Sequence, residues 1–325
     1  MRRRSQDIGL IVLTATLLIG YPPQAAGDEI RTAIQEINTR IQTHLRPGHR
    51  LTLGHIRDVI EYAISIGAPI YNAGRHQDCF EVYVATARGV IEGLRQVPAA
   101  EGHDLIKVRE SLEATINAMK AGEAFGAKAW AVRYAFDETL LTWKMKTVEI
   151  ANLVALGDEY SQRRSFDSAS RAYQRATDTL REVVGDHPEH LALNVRIAPL
   201  ALGNSLFAQE EFVKSVQTIR FGLSLVPDWG RMPLDLRHLY QEPAEYDRTL
   251  QKLTQWIAAH PTDGAGHFLL GYQYYFSGEK TMAQQEFERA LQLDQNDQGA
   301  KYFLSLFKAS PPQPPSQPLP PNEFF

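Results

Sequence analysis

Apolar residues recur every three or four positions along most of this chain, the period that draws one stripe down an α-helix. The first stripe runs through Ile30, Ala33, Ile34, Ile37, Ile41 and Leu45 and predicts a helix over 29–46, closed by Pro47-Gly48. A second helix starts near Leu51 and turns Leu53, Ile56, Ile60, Ala63 and Ile64 inward until Asn72-Ala73-Gly74 reverses the chain. Pro69 lies where that helix should continue, so a kink or a fresh start is expected there. A third helix follows from Asp78 to about Leu94. Residues 105–143 predict two more, one through Leu112, Ile116 and Met119 and one through Ala129, Val132, Ala135, Phe136 and Leu140.

From residue 150 onward, small and aromatic residues fall at fixed offsets. Leu156-Gly157 is followed by Tyr160, Ala169, Tyr173 and Ala176, Leu202-Gly203 opens another such stretch, and the sharpest is Leu270-Gly271, Tyr274, Ala283, Phe287 and Ala290. Two antiparallel helices that lock together need this arrangement: small residues let the backbones approach, and rings fill the space between neighbouring pairs. Gly203 and Gly271 are 68 residues apart, twice a 34-residue period. A further unit is therefore expected between them, over 230–263, carrying Leu236, Tyr240, Leu253 and Pro261, with Arg237 in place of its glycine. Gly157 and Gly203 are 46 apart, which predicts that the helix over Arg171 to Asp186 is two turns longer than usual. Ala300, Phe303, Leu304 and Phe307 form a stripe suited to a capping helix. The seven prolines between 310 and 325 favour an extended polyproline form without a core.

These units resemble the tetratricopeptide repeat family, well over 150–308 and loosely over 60–93, where Ile66-Gly67, Cys79, Tyr83 and Thr86 take the corresponding places. Gln295 stands where the family closes with proline. The resemblance implies an all-α fold, a right-handed α-solenoid of helix hairpins preceded by an N-terminal helical region. The expected organisation is a leader over 1–27 and a helical domain over 28–146. An array over 147–309 follows, with units near 150–183, 196–229, 230–263 and 264–297 and a cap over 298–309, and then a tail over 310–325. In that family the first helices line a concave surface that holds a peptide or a partner domain. Carried over by position, the surface would receive Asp158 and Gln162 from the first unit, Asn204 and Phe207 from the second, His238 and Gln241 from the third, and His267, Tyr272, Tyr275 and Phe276 from the last. Rings give large contact area at low entropic cost, and polar groups set register. The competing role for Tyr275 and Phe276 is packing against the capping helix.

Charge and the amino terminus narrow the role. The formal net charge of -4 over 325 residues and the lack of a concentrated basic stretch argue against nucleic acid. Arg2-Arg3-Arg4 precede an apolar run from Ile8 to Gly20 and the small residues Ala25-Ala26-Gly27, the pattern of an export signal. The run falls short of the roughly 20 residues of a bilayer span. Export to the periplasm or the extracellular space is expected, with an uncleaved anchor in the inner membrane as the alternative and no extended membrane domain. Cys79 is the sole cysteine, so no internal disulfide can form. It suits the small slot between two helices; the other reading is a reactive thiol with His76 three residues before it.

No Gly-x-Ser-x-Gly elbow, His-Glu-x-x-His helix, phosphate-binding glycine loop or Cys-x-x-Cys pair occurs. The adjacent carboxylates Asp158-Glu159 and Glu210-Glu211 diverge by about 100° on a helix and do not converge on a substrate. Asp186-His187-Pro188-Glu189-His190 sets two imidazoles three apart, but Pro188 intervenes and no third ligand is near in sequence, so a solvated loop accounts for it. The expectation is an exported scaffold or adaptor that binds a protein or peptide through its concave groove, with no catalysis, cofactor or metal. Two alternatives stand beside it. One is a self-assembling envelope module or homo-oligomer, motivated by the apolar Tyr302 and Leu306 on the outer side of the cap; the other is a small-ligand cleft using Tyr71, Asn72 and Trp130.

Overall fold

The computed structural model describes residues 27–44, 50–97, 102–240 and 242–308. The expected leader (apart from Gly27), Pro47-Gly48, Gln241 and the proline-rich tail lie outside them. Among the described residues every regular element is helical: α1 (Asp28–His44), α2 (Leu53–Asn72), α3 (His76–Arg95), α4 (His103–Ala118), α5 (Phe125–Gln162), α6 (Phe166–Val183), α7 (Leu193–Arg196), α8 (Ala198–Ala208), α9 (Phe212–Leu225), α10 (Pro243–Ala259), α11 (Gly264–Phe276), α12 (Lys280–Leu293) and α13 (Gln298–Lys308). The stripes are the reason. Ile30, Ala33, Ile37 and Ile41 of α1 and Leu53, Ile56, Ile60 and Ala63 of α2 are all buried, while the polar positions between those of α1 face solvent. Thr52 caps α2: its hydroxyl accepts the His55 backbone N–H, and His55 Nδ1 in turn accepts the Thr52 backbone N–H.

One geometric unit recurs four times, in α2/α3, α5/α6, α8/α9 and α11/α12. Its anchor is a glycine on the first helix, Gly67, Gly157, Gly203 or Gly271, against the side chain sixteen residues on, respectively Tyr83, Tyr173, Ile219 and Phe287. A methyl group at any of these glycines would lie under 3.0 Å from that side chain. Twelve residues after each glycine comes a small residue with no exposed surface (Cys79, Ala169, Ser215, Ala283), and nineteen after it another buried one (Thr86, Ala176, Gly222, Ala290). Seven after it the chain reverses through a left-handed residue, Gly74, Arg164, Glu210 or Gly278. The second helix of each hairpin then meets the first helix of the next: α3 packs on α5, α6 on α8, α9 on α11 and α12 on α13. Phe303 of α13 is wholly buried and stacks on Phe287 at 4.8 Å, closing the apolar end of the last hairpin.

Several sequence expectations change. Pro69 neither kinks off nor ends α2; it sits in the last turn, where one forgone ladder bond lies close to an end that frays in any case. The boundary expected at 146/147 falls inside α5, a single helix of 38 residues that belongs to both sides of it. The helix expected to reach Asp186 stops at Val183, and the additional residues form a loop with a 3-10 turn at Pro188–His190 and the one-turn α7. The unit over 230–263 is not a hairpin. Its first half runs as two 3-10 turns, Trp229–Arg231 and Leu236–Leu239, among Pro227, Pro233 and Pro243 and with the bulky Arg237 where close approach would need glycine; α10 alone remains helical. Tyr302 and Leu306, taken as an apolar outer face of the cap, are instead packed: the Tyr302 hydroxyl accepts the Gly230 backbone N–H at 2.8 Å, and Leu306 lies against Gly230.

Arg164 and Glu210, the two turns without glycine, both hold α10, through Arg164–Glu245 at 3.5 Å and Lys252–Glu210 at 2.5 Å. Gly157→Ala should destabilise the fold by about 1–3 kcal/mol, because the added methyl collides with the Tyr173 ring. Glu210→Gly should stabilise it by up to about 1 kcal/mol, since relief of left-handed strain outweighs an exposed ion pair. Urea unfolding followed by circular dichroism measures both.

Candidate functional site

The residues expected to line a groove are mostly structural. Tyr272 has no exposed surface; its hydroxyl accepts the Trp229 indole N–H at 3.0 Å, and its ring meets Phe276 and Phe303 edge to face at 5.0 and 5.9 Å. Phe276 is buried against Trp229 and Phe303, and Phe207 against Phe212 and Tyr246. The side chain of Asn204 also reaches the Tyr272 hydroxyl, with its Oδ1 buried and unpartnered. Tyr275 is half-buried: it donates to the Gly230 carbonyl at 2.8 Å, carries the Lys280 ammonium 3.1 Å above its ring and packs on Phe303 and Phe307 of the cap. His267 is tied to Glu286 at 2.6 Å. Asp158 accepts the Tyr173 hydroxyl at 2.6 Å; partial burial raises its carboxyl above the usual range, against the opposing pull of that hydrogen bond. Gln162 and His238 are exposed with no such partner, and Asp158, despite its hydrogen bond, also keeps an exposed surface. Tyr272, Tyr275 and Phe276 therefore cement α11 to α13 and to the 229–231 turn, and Phe207 cements α8 to α9 and α10. Cys79 is likewise packing: it is wholly buried, and desolvation pushes its thiol up to about 11, far from a reactive thiolate.

The exposed apolar surface lies elsewhere, on α5. Ala129, Val132, Phe136, Thr139, Ile150, Leu153 and Val154 bury one side of this helix. On the opposite side Trp130, Tyr134, Leu141, Met145 and Val148 are between 45% and 66% exposed. At about 100° per residue these five fall within a narrow arc, over about 27 Å of helix. A core position would be covered, and scattered surface residues would not align; here five large side chains share one uncovered arc, interrupted between Tyr134 and Leu141 by Asp137. Arg133 and Lys144 border it on one flank and Glu138 and Glu149 on the other. Arg133 also pairs with Asp137.

At its amino-terminal end the stripe joins an aromatic cluster. Tyr71 of α2 meets Trp130 edge to face at 5.8 Å and stacks on His76 at 4.4 Å, Trp130 meets Tyr134 at 5.6 Å, and Phe80 meets Phe125 at 5.7 Å. Beside it opens a shallow cleft of about 440 Å³ lined by Gly74, Arg75, His76, Gln77, Asp78, Ala124, Phe125 and Gly126. Tyr71 and Trp130, named from the sequence as residues of one cleft, thus stand together across 59 positions of chain, with Asn72 exposed beside them. Spacing alone does not distinguish this stripe, because helix α5 is apolar on both sides. Its outer positions look like core until the neighbours that fail to cover them are known.

Compared with known families and with curated proteins, the chain matches no family model and no curated sequence. No helix among the described residues is long and apolar enough to cross a membrane.

Tyr272→Ala should cost about 3–5 kcal/mol of stability, as for other buried rings. Tyr272→Phe, which strands the buried Trp229 N–H, should cost about 1–3 kcal/mol. Denaturant titration separates the two, and a loss of partner binding with unchanged stability would contradict the structural role.

Proposed function

We propose that this chain is an exported, non-catalytic helical scaffold of tetratricopeptide type, an α-solenoid of hairpins that works by binding protein through the uncovered face of α5. The solenoid reading is supported by the four hairpins with common offsets and by the second-helix-to-first-helix contact between successive ones. Export is supported by the basic, apolar and small-residue order of the first 27 positions. The observation that carries the function is the stripe of Trp130, Tyr134, Leu141, Met145 and Val148.

The occupant best matched to that stripe is α5 of a second copy. Its flanks carry opposite charge. Laid parallel, two copies set Arg133 opposite Glu138 of the partner subunit and Lys144 opposite Glu149 of the partner subunit, each five residues on, the relation used by the flanking charges of paired helices. Laid antiparallel, like flanks would face each other. The spacing Tyr134, Asp137, Leu141, Met145, Val148 runs three, four, four, three, an eleven-residue period close to the helical repeat that drifts only slightly in the right-handed sense. Arg133 neutralises Asp137, the polar member of that seam. A small-ligand role for the cleft beside His76 has less support, because it is shallow and open.

Light scattering coupled to size exclusion should show a dimer that dissociates on dilution. Leu141→Glu with Met145→Glu should give a monomer with an unchanged helical spectrum. Lys144→Glu should weaken the dimer, and adding Glu149→Lys should restore it. A wild-type chain that stays monomeric at every concentration refutes the pairing.

A further inference from the structure

Four of the chain's ten histidines gather where the loop after α6 meets the start of α2. This loop is fixed from several directions. The Thr52 hydroxyl donates to the Val184 carbonyl at 2.7 Å, and Gly54 lies so close to the backbone of Val183 and Gly185 that it has no room for a side chain. Two groups result, one partly buried (His44, His55, Asp186) and one at the surface (His187, Glu189, His190).

The buried group is a poor metal site. His55 Nδ1 accepts the Thr52 backbone N–H, so the ring proton sits on Nε2, which faces Asp186 Oδ1 at 3.3 Å. A cation there would need the same neutral ring to give up a second lone pair, and could bind only by breaking the cap of α2.

The surface group has no such obstacle. Pro188 opens a 3-10 turn, in which residues three apart lie on one side, and His187 and His190 accordingly stand with ring centroids 5.2 Å apart. Ligand atoms of His187, Glu189 and His190 all lie within 4.8 Å of one another. His187 Nδ1 is 3.0 Å from Glu189 Oε1, and His190 Nδ1 is 3.4 Å from Asp58 Oδ1, a carboxylate that α2 delivers from 132 positions away. Neighbouring ligands of a tetrahedral Zn²⁺ stand about 3.3 Å apart, given bonds of about 2.0 Å. Arg57 donates from Nη1 to the same Asp58 oxygen at 3.3 Å. Its Nη2 is engaged by the Glu61 carboxylate at 2.7 Å and the guanidinium lies on the Trp143 ring, so a cation beside His190 would share the Asp58 carboxylate with a guanidinium already half balanced by Glu61.

We propose that His187, Glu189 and His190, with Asp58 of α2, form a surface site for a late first-row divalent cation of the Zn²⁺ type. Two imidazoles and two carboxylates suit such an ion and not Ca²⁺ or Mg²⁺, which take oxygen ligands. Bound there, the ion would pin the loop after α6 onto α2.

The test is calorimetric titration of the untagged full chain with ZnCl₂, paralleled by Co²⁺ absorption in the visible region. One ion per chain is expected, with a raised melting temperature and a d–d band of tetrahedral intensity. His187→Ala with His190→Ala should weaken Zn²⁺ at least about tenfold and abolish the band, Asp58→Asn should weaken it by a similar factor, and His103→Ala, at the start of α4, should change nothing. Unchanged helical spectra establish that the variants fold. Wild-type chain that takes up no Zn²⁺, or a double variant that binds as tightly as wild type, overturns the site.

Discussion

Helices of this chain approach one another where a side chain is missing. At Gly67, Gly157, Gly203 and Gly271 the backbone of one helix lies flat against a ring or a branched chain of the next, and the small residues twelve and nineteen positions on keep the second helix equally close. Everything nearby follows from that distance. The reversal between the two helices must be short, which forces a left-handed residue seven positions after the glycine. At Gly67 and Gly271 the covering ring also meets the next element, Tyr83 on Phe136 and Phe287 on Phe303, so one contact serves both the pair and its successor.

The departures from this rule are where the molecule adds something of its own. Between α9 and α11 the chain abandons the hairpin, yet the two helices still pack directly, and α10 is laid against α8 and α11. The turns that face α10 forgo glycine: Arg164 and Glu210 accept an unfavourable backbone and use their charges to hold it. The 229–231 turn fills the remaining space, its indole bonded to Tyr272 and its glycine to Tyr275 and Tyr302.

Helices and their hairpin pairing were legible in the sequence because both rest on local spacing: Gly157, Ala169, Tyr173 and Ala176 occupy the places their offsets imply. What spacing could not tell is which side of a helix receives a neighbour. Tyr272 and Phe276 hold positions that are open in a regular array, but the irregular turn around Trp229 covers them here. On α5 the stripe through Ala129, Val132, Ala135 and Phe136 is buried as expected, but Leu141 and Met145 on the other side carry no signal in the spacing and are left bare. The 68-residue interval misled for a related reason, since a period counts residues and not helices. His187 and His190 looked like loop residues because Asp58, which faces them, is far away in the chain.

Helix α5 has one property that none of its neighbours share. Its 38 residues extend for about 57 Å without a proline or a break, and its ends belong to different surroundings: the aromatic cluster with Tyr71 at one, the Gly157–Tyr173 clasp at the other. A joint between two bodies normally needs a flexible linker to bend at. Here the junction is a single helix, so the amino-terminal helices and the hairpins beyond Arg164 share one backbone, with no loop between them at which to hinge.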